Sequence, residues 1–191
     1  LPAAGGAGYG RGVEFRPALA ADAPAIAALH AASWASAYRH ILSPDWLDRE
    51  LAGDRLAVWE SRMAAPDPMM RVLLAEDAVG SDTGLAGFVC LFLAADPKWG
   101  SHVDNLHVRP DCRGLGLGRR LLAAAAELAL AEAPGQGLDL HVYVANTAAR
   151  GFYRRLGGTE SLAEKEIAPD GSRQTYCRIW WPDPARLLAP A

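Results

Sequence analysis

Between two apolar runs the chain reads Leu106-His107-Val108-Arg109-Pro110-Asp111-Cys112-Arg113-Gly114-Leu115-Gly116-Leu117-Gly118-Arg119-Arg120. An extended segment meets a proline turn, passes through alternating glycines and enters an Ala/Leu-rich stretch with helical spacing. A helix begun in this way presents backbone N–H groups that have no intrahelical acceptor, at the end where its dipole favours negative charge. The chemistry to expect there is the binding of a phosphate or pyrophosphate.

Spacing separates the phosphate-binding patterns that could use these glycines. The dinucleotide fingerprint needs a glycine three positions after the second one, and this chain alternates Gly114, Gly116, Gly118 and then has Arg119. A nucleotide-triphosphate loop needs Gly-Lys-Ser/Thr, which is absent. What remains is Arg113-x-x-Gly116-x-Gly118 between a strand and a helix, and this resembles the acetyl-CoA-binding motif of the GNAT superfamily of N-acetyltransferases. The competing reading of the same glycines is a plain flexible turn.

A second segment is also similar to that superfamily. It runs from Leu140-His141-Val142-Tyr143-Val144 through Asn146 and Ala149 to Phe152-Tyr153 and Leu156-Gly157, with Gly158 where Phe is usual. The resemblance implies an α/β (α+β) fold: a mixed, mostly antiparallel sheet of seven strands with about four helices, splayed between strands 4 and 5. It further implies acetyl-CoA as cosubstrate and direct acetyl transfer to a primary amine of a small molecule or protein. Leu106, His107 and Val108 would pair with the pantetheine arm as an added strand would. Amides of Gly114, Leu115, Gly116, Leu117, Gly118 and Arg119 would hold the pyrophosphate, and among Arg113, Arg119 and Arg120, which could meet the cofactor phosphates or simply be solvated, Arg119 is the side chain expected to do so. Asn146, an N-cap by type and place, would add a contact to the cofactor.

For the chemistry, Tyr153 stands near the family's general acid, able to protonate the departing thiolate from a phenol of reference pKa about 10. Its competing reading is a half-buried helix aromatic. The base is open among His141 on the fifth strand and His102 and Asp104 on the fourth, the latter two assigned to one face by alternation. An imidazole suits proton abstraction near neutral pH, with a rate limb expected at about pH 6 to 7.5, although strand histidines are often structural. His30, His40 and His107 are weaker candidates. Glu160, Glu164, Glu166, Asp45 and Asp48 fall in segments that could face a cationic acceptor or simply be solvated. Histidines and cysteines lack metal-ligand spacing, so no metal is expected.

The elements that must position these groups follow from periodicity. Residues 13–17 suit a strand, Asp22 is placed to cap a helix through Ile26 and Leu29, and a second helix should begin at Ser43-Pro44 and run past Trp59 to Pro66. Trp34, Tyr38 and Trp46 lie around that break, suited to packing or to substrate contact. Residues 70–76, 85–93 and 102–108 read as successive strands, the first two joined by a loop at 80–84, which argues for an antiparallel meander. Residues 138–144 form a fifth strand, 146–157 a short helix, and a hairpin turning at Pro169-Asp170-Gly171 closes the chain at Trp180-Trp181.

Of 191 residues 51% are apolar, enough for one core, so a single domain is expected over 13–182. The glycine-rich segment 1–12 reads as a disordered leader and 183–191 as a tail. A net charge of −3 gives no footprint for nucleic acid, and no stretch suits a membrane span. The three scattered cysteines fit a reducing, cytoplasmic setting. The partner is then an amine acceptor, with a homodimer left open. The other function class left open is a non-catalytic acyl-CoA-binding or sensing module of the same fold.

Overall fold

The computed structural model describes residues 13–77, 84–161 and 163–189. The expected leader at 1–12 and nearly all of the loop at 80–84 lie outside the described residues. The strands are Val13–Pro17 (β1), Met70–Asp77 (β2), Leu85–Asp96 (β3), Gly100–Val108 (β4), Leu138–Tyr143 (β5), Thr159–Glu160 (β6), Glu164–Ile167 (β7) and Arg173–Trp181 (β8). They form one sheet in the order β1-β2-β3-β4-β5-β8-β6, with β7 pairing elsewhere along β8. Every pair is antiparallel except β4 with β5.

Three helices, Ala23–Ala37 (α1), Pro44–Arg49 (α2) and Leu51–Ala64 (α3), connect β1 to β2. The single helix expected after Pro44 is divided at Glu50, whose N–H still bonds the Trp46 carbonyl while its backbone turns the chain into α3. Ser43 caps α2 by accepting from the Trp46 N–H at 3.4 Å. Asp22 stands at the expected cap position of α1, but its carboxylate accepts instead from the Leu19 N–H at 2.7 Å and from Arg16. Among the described residues there are eight strands and not seven, because the two-residue β6 precedes the closing hairpin.

Leu117–Glu132 (α4) crosses between the parallel strands, and Thr147–Arg155 (α5) follows β5. α4 covers one face of the sheet, where Leu121, Leu122, Ala125 and Ala126 are fully buried against Val89, Val103, Leu138, Leu140 and Ile179. Each such leucine contributes about 1.5–3 kcal/mol. The approach is close: a Cβ on Gly87 would lie 2.8 Å from the His107 carbonyl oxygen and 2.9 Å from Leu121 Cδ1. α1 and α3 cover part of the other face through Ile26, Leu29 and Trp59, packed on Val72, Leu74 and Phe88. A short 3-10 turn at Pro184–Leu188 buries Leu187 in the α4 core. Among the described residues no helix is long and apolar enough to cross a membrane.

Candidate active site

The sheet is open where the parallel pair parts. β4 and β5 pair over Ser101–Leu138, His102–Asp139 and Val103–Leu140, and no further. Both strands continue, so residues 104–108 of β4 and 141–143 of β5 turn backbone edges toward a gap. β4 stays paired with β3 on its other side through Val108. A bulge helps to part them. Cys90 pairs with Asn105 and Leu91 with Val103, which leaves Asp104 without a ladder partner.

The gap opens into a cleft of about 470 Å³. Trp34 and Tyr38 of α1, Arg55 and Arg62 of α3, His102 and Asp104 of β4, His141 and Tyr143 of β5, and Tyr176 of β8 line it, as do Asn146 and Tyr153 beside α5. Of the three aromatics around the α1–α2 break, Trp46 is buried in a cluster with Leu42, Leu47 and Leu51, whereas Trp34 and Tyr38 face the cleft.

At the end of β4 the glycine loop turns into α4. Gly114 and Gly116 have φ of +77° and +79°, a conformation that glycine adopts at little cost and other residues only with strain, and Gly116 is the N-cap of α4. A Cβ built on either meets nothing within 4 Å, so there is open space beside the loop where α4 begins. That arrangement fits a pyrophosphate held by backbone N–H groups. The arginines are otherwise engaged: Arg113 donates to the hydroxyls of Ser36 and Ser33 at 3.2 and 3.4 Å, and Arg119 donates to the Ala189 carbonyl.

Asn146 caps α5 as expected, its Oδ1 accepting from the Ala149 N–H at 3.2 Å. Burial pushes the Tyr38 hydroxyl up to about 12. Tyr153 packs edge-on to Trp181 with ring centroids 6.1 Å apart, and burial raises its phenol further, so it keeps its proton at any working pH. Glu166 lines the cleft, and its charge helps to raise the Tyr143 hydroxyl, which burial raises most. Of the other carboxylates expected near an acceptor, Glu160 pairs with Arg150, Glu164 accepts from the Tyr176 hydroxyl, and Asp48 pairs with Arg39.

The three base candidates converge on the cleft with different surroundings. His102 and Asp104 both line the cleft with buried Val103 between them, the alternation breaking only beyond Asp104, and the Asp104 carboxylate is bound by Arg62 at 2.6 Å. The His141 ring lies 4.5 Å from the Tyr176 ring and 4.8 Å from that of His102. Desolvation first, then the neighbouring His102 and Arg178 charges, push it down to about 4. His102 is bonded through Nδ1 to Asp139 Oδ1 at 3.1 Å. Although no metal site was legible in residue spacing, possible ligand atoms of His102, Asp139 and His141 lie within 4.8 Å of one another. Both Asp139 oxygens are already taken, one by His102 and one by Arg178, so the group is satisfied as a hydrogen-bonded chain.

Asp139 and Arg178 are the residues that sequence reasoning missed. A signal existed, because Asp139, His141 and Tyr143 alternate with buried Leu138, Leu140 and Val142, marking a polar face on an interior strand.

His107 is no free base. Its Nδ1 bonds the Ser33 hydroxyl at 3.0 Å, and its ring stacks on that of His30 at 4.4 Å. His30 accepts from Trp59 Nε1–H at 3.0 Å and is 1% exposed. Burial, followed by nearby positive charge, pushes His107 down to about 3 and lowers His30 as well. Both rings therefore fold neutral, whereas in the unfolded chain they titrate near 6.5. Below that pH the unfolded state binds more protons, so this stability is complete above about pH 6.5 and is lost as pH falls toward 3, by up to about 1.4 kcal/mol per pH unit per ring. Urea midpoints should fall from pH 7 to pH 5, with a shallower fall in His107→Asn. A flat wild-type profile would contradict this account.

Comparison with known proteins agrees with this geometry. A family model described as the acetyltransferase (GNAT) family matches residues 31–158. A streptothricin acetyltransferase of Streptomyces lavendulae is 29% identical over 88% of this chain and 95% of its own. The spermidine N-acetyltransferase of Vibrio cholerae, solved with CoA and spermine, superposes with a TM-score of 0.65 at 19% identity, covering 93% of this chain and 98% of the other. PaiA N-acetyltransferase of Thermoplasma acidophilum, solved with coenzyme A, superposes with a TM-score of 0.61 at 19% identity, covering 87% and 98%.

Proposed function

Because the chain belongs to the acetyltransferase (GNAT) family and is an acetyl-CoA-dependent N-acetyltransferase, we propose that its acceptor is a small cationic molecule bearing a primary amine. The observation that carries this reading is the gap between β4 and β5, which opens into a cleft walled by Trp34, Tyr38, Tyr143 and Glu166 along the strand that leads into the glycine loop. Aromatic faces beside a carboxylate suit an ammonium group. The likeness to a streptothricin acetyltransferase along almost all of both chains supports a small-molecule acceptor over a protein. The non-catalytic alternative is not favoured by these relatives.

In this reading the open edge at Leu106, His107 and Val108 takes the pantetheine arm, and the amides from Arg113 to Arg119 take the pyrophosphate. Asn146 orders the start of α5 and so the position of Tyr153. The hydroxyl of Tyr153 gives its proton to the sulfur as the C–S bond breaks. A base on β4 or β5 takes the proton from the attacking amine. An amine of reference pKa about 10.4 costs about 4.6 kcal/mol to neutralise at pH 7, and a weaker base cannot remove that cost. It directs where the proton goes.

Thiol release from acetyl-CoA with streptothricin, spermidine and a lysine peptide tests the acceptor class. Turnover is expected with small cationic amines, and turnover with the peptide alone would overturn the reading. The base has a separate test. With His141 held down to about 4, it stays neutral across the range of about pH 6 to 7.5 in which a limb was expected from sequence. The shape of kcat against pH over that range should be the same in His141→Ala as in the wild type. A limb there that vanishes in His141→Ala would put the proton on His141.

A further inference from the structure

Resting on the acetyltransferase reading above, we infer that Asp139 is a positioning residue that holds His102 as the general base, with His102 Nδ1–H on the carboxylate and Nε2 turned to the acceptor amine. Asp139 has no exposed area and sits on β5 between the buried Leu138 and Leu140. A carboxylate there is costly unless its oxygens are satisfied. Its two partners satisfy it: Arg178 Nη1 donates to Oδ2, and His102 Nδ1 lies 3.1 Å from Oδ1. Arg178 is itself held, its guanidinium 5.0 Å from the centre of the Trp99 ring. A carboxylate only accepts, so the hydrogen between it and His102 belongs to Nδ1 and the lone pair to Nε2.

Position agrees with the role. His102 pairs with Asp139 one residue before the last rung between β4 and β5, so the ring stands at the apex of the gap and lines the cleft. His141, by contrast, is flanked by the Tyr176 and His102 rings, and among the described residues no hydrogen bond orients it. The step balances. The amine nitrogen forms the C–N bond to the acetyl carbon, and His102 Nε2 takes the N–H proton. The C–S bond breaks, Tyr153 protonates the sulfur, and the proton on His102 returns through water to Tyr153.

Asparagine at position 139 is the informative change. With Arg178 facing one side, the amide would turn its oxygen to the guanidinium and its NH2 to His102. Nδ1 would then have to accept, and the hydrogen would move to Nε2, the wrong tautomer for a base.

Two measurements decide the matter. Two-bond 1H–15N NMR of the wild-type imidazoles, assigned with His102→Gln, should show His102 with its hydrogen on Nδ1, and Asp139→Asn should move it to Nε2. In steady state Asp139→Asn should lower kcat roughly 100-fold with acetyl-CoA affinity kept, and adding it to His102→Gln should cost nothing further, whereas its loss should multiply with that of His141→Gln. An Nε2–H tautomer in the wild type, or losses of Asp139→Asn and His102→Gln that multiply, would overturn the inference. The wild-type tautomer decides even if Asp139→Asn does not fold. A wild-type protein that acetylates no small cationic amine would overturn the acceptor reading and leave the tautomer result standing on its own.

Discussion

Replacing Gly116 with glutamate is expected to abolish acetyl-CoA binding while leaving a folded protein. Position 116 has φ +79° and caps α4, so any side chain there strains the backbone by about 1–2 kcal/mol, a modest cost in stability. The larger effect is electrostatic. Two like unit charges 4 Å apart at an effective dielectric near 20 repel by about 4 kcal/mol, close to three decades in affinity. Gly116→Gln carries the strain without the charge and should lose much less. Calorimetry with CoA on variants whose circular dichroism is unchanged checks both. Unchanged affinity in folded Gly116→Glu would place the pyrophosphate elsewhere.

Tyr153→Phe is expected to lower kcat by about 100- to 10,000-fold with little change in acetyl-CoA affinity. The ring packs against Trp181 and Phe152, and phenylalanine keeps those contacts. Only the transferable proton is lost. Burial raises the phenol above its reference pKa, so the wild-type group is always in the state that can donate. The cost of giving that proton to a thiolate of reference pKa about 8.5 is offset only if the hydroxyl is already close. An unchanged single-turnover rate would make Tyr153 a packing residue and transfer the acid role to water.

Much of this was legible before any coordinates. The strands at 13–17, 70–76, 85–93 and 138–144 follow from runs of Val, Leu and Phe, whereas the mixed sheet came only from the resemblance and the parallel pairing of β4 with β5 had no signal in the pattern. Asn146 announced its cap by type, and the glycine spacing announced the loop. What stayed hidden depends on register between distant segments. His102 and Asp139 are 37 residues apart, and only the rung-by-rung pairing of β4 with β5 makes them neighbours. The bulge at Asp104 is invisible to an argument from alternation, because it is a fault in that alternation. A two-residue strand such as β6 has no period to read, and the division at Glu50 interrupts a pattern that is helical on both sides.

A bare strand edge is normally a hazard, since any extended chain can add to it and begin an aggregate. Residues 104–108, Asp-Asn-Leu-His-Val, carry neither the lysine nor the proline that usually guards such an edge. Here protection comes from recess: the edge lies in a cleft of about 470 Å³ whose lining includes Trp34, Tyr38 and Tyr153. The cover that a ligand must slip beneath is thus also what shields this edge from the next copy of the protein.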